Sequence, residues 1–295
     1  MPSSSRGYLY GFLARFRIVY LTIYIAPLIK VKGAFSKKEK EMNFIIGLFI
    51  FFLGTVIGSF LNVCIFRIPN EESIAYPPSH CGSCNHRLKV LDLIPIFSYI
   101  FLKGKCRYCN EKVSSQYPMV EGLTGVLFLL IYLKYGYSIE LIKFMIFTAI
   151  LIVIGIIDLK TQDIYDSTII VSGVIGLGFT LLQYFTGKEI SFISLLLGVL
   201  IPVIILSIFA KFGAMGWGDV ELIGVTGLFL TGGLNILNLF LAIIIGGIFA
   251  VAIMISKGKE KGGMMAFGPH IAIASYISLL FGNEIINFYL TTFLW

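Results

Sequence analysis

The run Phe144-Met-Ile-Phe-Thr-Ala-Ile-Leu-Ile-Val-Ile-Gly-Ile-Ile-Asp158 carries no charge until its last residue, and that residue is a carboxylate. A second apolar stretch begins just past Gly216-Trp-Gly-Asp219. Segments this greasy enter a bilayer, where an ionisable side chain costs about 3 kcal/mol or more. Such residues face a water-filled cavity or a partner, and two carboxylates at one site can share a proton and activate water. The pattern points first to an intramembrane aspartyl protease.

Composition agrees. Of 295 residues, 57% are hydrophobic and 13% charged, against roughly a quarter charged in a soluble domain. The expected fold is an all-α polytopic membrane protein. Working outward, apolar spans fall at 44–66, 119–134, 140–158, 167–185, 190–210, 220–233, 235–255 and 268–292, about eight segments against a spanning length of ~20 residues. The one at 220–233 is short and broken by glycines, which predicts a tilted or re-entrant segment. The formal charge of +7 needs no nucleic-acid partner, since basic cytoplasmic loops beside anionic lipid account for it.

The polar loop 67–118 sets the orientation. It holds Arg67, Arg87, Lys89, Lys103, Lys105, Arg107 and Lys112 against four acids, an excess that places it in the cytoplasm. Threading onward puts 159–166, 211–219 and 256–267 on the same side, the last with Lys257, Lys259 and Lys261. Asp158 and Asp219 then emerge at one membrane face from different segments, as a catalytic pair requires. Four of the five cysteines form Cys81-x-x-Cys84 and Cys106-x-x-Cys109 in this loop. That spacing reads as a four-cysteine, zinc-ribbon-like site in a reducing compartment. A pair of disulfides is the other reading, and a cytoplasmic loop disfavours it. His80 and His86 flank the first pair as loop residues or spare ligands. Cys64 reads as a packed thiol.

Of the chain's five aspartates, Asp158, Asp163 and Asp166 crowd one short loop. Asp166, before Ser-Thr-Ile-Ile, reads as a helix N-cap, and Asp163 as solvated. Gly216 and Gly218 beside Asp219 are expected to allow unusual backbone conformations and close approach of another chain. No His-Glu-x-x-His and no Gly-x-Ser-x-Gly occurs, so metalloprotease and serine-hydrolase chemistry lack a motif.

Several motifs, in order, resemble the bifunctional type IV prepilin peptidases, the leader peptidase/N-methyltransferases. They are Gly58-Ser-Phe-Leu-Asn-Val63 with Arg67-Ile-Pro69, the two cysteine pairs, Gln116-Tyr-Pro-Met-Val-Glu121, Asp158, Gly216-Trp-Gly-Asp219 and Phe267-Gly-Pro269. The likeness covers about 43–295. It implies a GxGD-type membrane aspartyl peptidase with Asp158 and Asp219 catalytic, and Gly216, Gly218 and Asp166 supporting the catalytic loop. Zinc would be held by Cys81, Cys84, Cys106 and Cys109. It implies cleavage of prepilins or pseudopilins after a Gly at the cytoplasmic face of the bacterial inner membrane. S-adenosylmethionine would then donate a methyl group to the new amino terminus, in the region of the loop. Tyr165 departs from the family's usual proline before Asp166. Glu221 stands where many members carry lysine, which predicts an upward-shifted pH optimum if it lies near the carboxylates.

The implied organisation is an extension at 1–43, a first transmembrane helix at 44–66, the zinc loop at 67–118 and a peptidase domain at 119–295. Residues 1–43 depart from the positive-inside pattern through Lys30, Lys32, Lys37, Lys38 and Lys40. They read as an upstream start before a functional chain opening near Met42, or as an interfacial anchor. Two other functions compete. An ion or proton pathway explains buried acids but gives the cysteine loop no role. A membrane assembly factor would leave both aspartates dispensable.

Overall fold

The computed structural model describes residues 37–187, 191–257 and 265–293. The chain divides into two units, Met1–Leu48 and Phe49–Trp295. The expectations for residues 1–36, Lys30 and Lys32 among them, lie outside the described residues, as do those for Lys259 and Lys261, whereas Lys37, Lys38 and Lys40 fall in the first helix. The second unit holds every described helix apart from the start of the first.

Helices carry the fold. They are α1 (Lys37–Arg67), α2 (Phe97–Phe101), α3 (Gln116–Tyr135), α4 (Ile139–Thr161), α5 (Asp166–Phe185), α6 (Phe192–Lys211), α7 (Trp217–Leu230), α8 (Gly232–Lys257) and α9 (Gly268–Phe293). In hydrocarbon a helix is the way one segment satisfies its own backbone donors and acceptors. Polar residues mark the ends. The Ser138 and Ser191 side chains accept from Leu141 and Ser194 N–H groups to open α4 and α6. Gln162, in the left-handed region, closes α4. Among the described residues no strand forms, but two isolated bridges, His80 with Arg87 and Lys105 with Lys112, close the two cysteine knuckles.

Seven of the described helices are long and apolar enough to cross a membrane, so this is a multi-pass membrane protein. The expected eighth span is α7, with 14 residues, ~21 Å long at 1.5 Å per residue and shorter than a ~30 Å hydrocarbon core. It packs against α4, α5, α6, α8 and α9. Its Val220, Leu222 and Ile223 join Ile154, Leu206, Leu239, Ile271 and Ala274 in one core. A buried polar knot fastens its far end: Asn235 Nδ2 donates to Gly198 O at 2.8 Å and Ile223 O at 3.0 Å, and Thr226 Oγ1 donates to Asn235 Oδ1 at 2.8 Å.

On the loop side, α1 and α3 cross closely. A Cβ on Gly54 would stand 2.7 Å from Gly125 Cα, and one on Gly58 2.8 Å from Glu121 Cα. This is small-residue packing at a spacing of four. Asn62 then fastens the pair, donating to Tyr117 O and accepting from Gln116 Nε2.

Candidate active site and metal centre

Asp158 sits in the last turn of α4 and Asp219 in the first turn of α7, at 3% and 7% exposure. The helix runs on to Thr161, so Asp158 lies within it rather than at its end. Its Oδ2 accepts the Gly268 N–H at 2.8 Å, at the opening of α9. This bond needs the end of α4 and the start of α9 at one end of the bundle, as the threading of the spans requires. Asp219 accepts the Gly216 N–H, and its carboxylate lies within electrostatic range of Asp158. Among the described residues the ion pairs are Arg107–Asp92 and Lys134–Glu284, so neither carboxylate has a basic partner. Two buried carboxylates brought near each other without a cation are the kind of pair that can share a proton and activate water.

The glycines work differently from expectation. Gly216 has φ −75°, and neither it nor Gly218 is among the positive-φ glycines. Ordinary helical entry geometry suffices, so conformational freedom is not their role. Close approach is: a Cβ on Gly218 would stand 2.8 Å from Ile164 Cβ. Ile164 also reaches Gly268, where a Cβ would stand 3.3 Å from Ile164 Cδ1 and 2.6 Å from Asp158 Oδ2. One loop side chain therefore lies against both the Asp219 motif and the Phe267-Gly-Pro269 motif. Nothing in the sequence singles Ile164 out, because an aliphatic residue among aliphatic residues gives no signal.

Asp166 is not the cap. Tyr165 is the N-cap of α5 and makes no side-chain capping bond, so Asp166 is the first helical residue and is exposed. A carboxylate there complements the helix dipole without accepting a capping bond. Glu221 is exposed on α7, whereas Asp219 two residues earlier is buried.

The four paired cysteines converge. Their Sγ atoms all lie within 4.8 Å of one another, and the Cys81–Cys109 separation is 3.8 Å. A tetrahedron of Zn–S bonds at ~2.3 Å has edges of about 3.8 Å, so the cluster fits a metal ion. The thiols also act on one another. Backbone N–H groups of Cys84 and Ser83 pull Cys81 down to about 6, with smaller help from neighbouring thiols. For Cys109 the Glu111 N–H works downward, but desolvation and its three thiol neighbours push it up to about 12. His86 stacks on Tyr108 at 3.7 Å between centroids, and His80 contacts Pro78 O; neither joins the cluster. Cys64 is buried in an apolar cluster. Asp92 ties the loop together. Desolvation there is outweighed by the Lys89 N–H, Arg107 and Tyr108, which hold its carboxyl below its ordinary range.

Between this loop and the adjoining ends of α1 and α3 lies a cavity of about 890 Å³, within the range of cofactor pockets. Arg67 and Glu121 supply charges of both signs to its wall, with Tyr76, Tyr99 and Tyr117 as aromatic surface. That donor set fits S-adenosylmethionine, which carries a cation, a zwitterionic tail and a flat base.

Comparison with known proteins bears on both centres. The Bacterial Peptidase A24 N-terminal domain matches residues 52–135, and the Type IV leader peptidase family matches residues 145–251. Similar curated proteins include the prepilin leader peptidase/N-methyltransferase of Bacillus subtilis (strain 168), 31% identical over 82% of this chain and 96% of that protein. The Neisseria gonorrhoeae protein of that name is 32% identical over 81% of this chain and 93% of its own length. The Aeromonas hydrophila protein is 29% identical over 83% and 94%. No solved structure matches. The first match covers the α1–loop–α3 region and the second covers both aspartates, and with relatives aligned over most of their length the chain belongs to the type IV leader peptidase family.

Proposed function

We propose that the chain is a prepilin peptidase and N-methyltransferase that cleaves prepilins or pseudopilins after a Gly, at the cytoplasmic face of the membrane, and methylates the amino terminus so released. The observation that carries the peptidase reading is the meeting of Asp158, Asp219 and Gly268 at one end of the bundle. One carboxylate, ionised, takes a proton from water as the water attacks the scissile carbonyl; the other, protonated, hydrogen-bonds the developing oxyanion. Gly268 holds Asp158 by its N–H, Gly216 holds Asp219, and Gly218 with Ile164 closes the space between α7 and the α4–α5 loop. Asp166, the first residue of α5, supports the segment that follows this loop. The arginines and lysines of 67–118 favour a cytoplasmic loop, and the bond from Gly268 to Asp158 is consistent with the dyad opening at that end.

Cys81, Cys84, Cys106 and Cys109 hold a structural zinc ion that fixes the loop, which is too small to bury a core of its own. The test is cleavage of a prepilin-like peptide in liposomes by wild type, Asp158→Asn and Asp219→Asn. A Gly–Phe cut lost in both variants with unchanged thermal unfolding is expected. Cutting that survives either change would overturn the dyad.

A further inference from the structure

Two buried charged side chains in the wall of the loop cavity have no charged partner. Glu121, on α3, is 6% exposed; Oε2 accepts the Ile96 N–H at 2.7 Å and the Ser59 side chain also bonds it. Arg67, at the end of α1, is 6% exposed and donates to the Ser73 and Pro77 carbonyls at 2.8 and 2.6 Å. Among the described residues neither belongs to an ion pair, since those are Arg107–Asp92 and Lys134–Glu284. Burying a charge without a counter-charge is costly. Here one anion and one cation bear that cost on the wall of one cavity.

The backbone beside Glu121 is strained towards it. Ile96, a β-branched residue, has φ +63° and ψ −51°, and Phe97 N–H reaches back to Pro95 O. This is the γ-turn conformation that L-residues avoid, and strain of this kind is kept where a site over-determines it. Its product is an N–H aimed at the Glu121 carboxylate. Asp92, which lines the same cavity, differs in kind: Arg107, Tyr108 and the Lys89 N–H already occupy it.

We propose that this cavity is the methyl-transfer site, with Glu121 the counter-charge to the sulfonium of S-adenosylmethionine and Arg67 the partner of its methionyl carboxylate. The assignment rests on the methyltransferase reading above. Glu121 lies in the second turn of the membrane-spanning helix α3 and Arg67 at the end of α1, so both stand where the loop joins the helices. When bound, S-adenosylmethionine supplies the methyl group: the lone pair of the deprotonated amine forms the C–N bond, the C–S pair stays on sulfur as a neutral thioether, and the proton already lost goes to water.

The test compares two ligands on the full-length protein in detergent by calorimetric titration. S-adenosylmethionine carries the sulfonium and S-adenosylhomocysteine does not. Glu121→Gln is expected to weaken the first by about tenfold or more, as loss of a charged contact implies, while the second changes by under about threefold by the same reasoning. Glu121→Asp should restore part of the difference. A misfolded variant loses both ligands alike. Parallel weakening of both in a variant whose thermal unfolding matches wild type, or no change in either, would overturn the assignment of Glu121. A wild type that binds neither ligand would instead overturn the methyltransferase reading itself.

Discussion

A Cβ on Gly268 would stand 2.6 Å from Asp158 Oδ2, inside any allowed contact, and the N–H of the same residue is that oxygen's donor. Gly268→Ala must therefore move the carboxylate or the start of α9. A displacement near 1 Å costs on the order of 10²-fold in rate, so cleavage should fall by about that factor with little change in KM. Retained activity in Gly268→Ala would mean that Asp158 is not held as described. Glu221 gives the opposite expectation. Its exposed side chain is screened by solvent, which removes the basis for an upward-shifted pH optimum. Glu221→Lys should leave the pH–rate profile of cleavage unchanged, and a shifted profile would show that its charge reaches the dyad.

At the scale of elements, α7 carries Asp219 but has none of the length that anchors its neighbours. The knot of Thr226, Asn235 and Asn238, all with no exposure, fixes the end opposite the carboxylate. Asn235→Leu would take the side-chain donor from the Gly198 carbonyl and one partner from the Thr226 hydroxyl, which keeps Ile223 O and Asn238, in a dry interior. The expected cost is about 1–2 kcal/mol, set by the cost of an unmet buried hydrogen bond and the modest values measured inside bilayers. Thermal unfolding in detergent should show it, with a loss of cleavage because Asp219 shares the helix. The sequence makes the helices legible through long apolar runs, and the candidate catalytic and metal-binding residues through contrast, since acids and paired cysteines are rare in such a chain. It does not reveal this knot, because Thr and Asn in a helix have the same composition whether they bond each other or their own backbone. Gly54 and Gly58 lie between. Their spacing of four is visible in the sequence, but their partners Gly125 and Glu121 become evident only when α1 and α3 cross.

Across the whole molecule, the dyad and the loop cavity belong to different sets of helices that meet in one apolar cluster. Leu61, Cys64 and Ile65 of α1, Val120 of α3, and Ile152, Val153 and Ile157 of α4 pack together. Ile157 adjoins Asp158, and Val120 adjoins Glu121. The cluster is a floor between the two proposed sites, and neither site borrows a side chain from the other. Loss of one should therefore spare the other. Metal removal tests this, because structural zinc contributes about 10–16 kcal/mol to the folding of small domains and the loop has no comparable core. Purified protein should contain one zinc ion per four-cysteine cluster. Chelation, or Cys106→Ser, should abolish methyl transfer and S-adenosylmethionine binding while prepilin cleavage persists within about twofold, since the helix packing around the dyad does not depend on the loop's metal. Cleavage that disappears together with the zinc would mean that the loop positions the substrate for the dyad as well. The two centres would then be one machine with a shared entry rather than neighbours on a common floor.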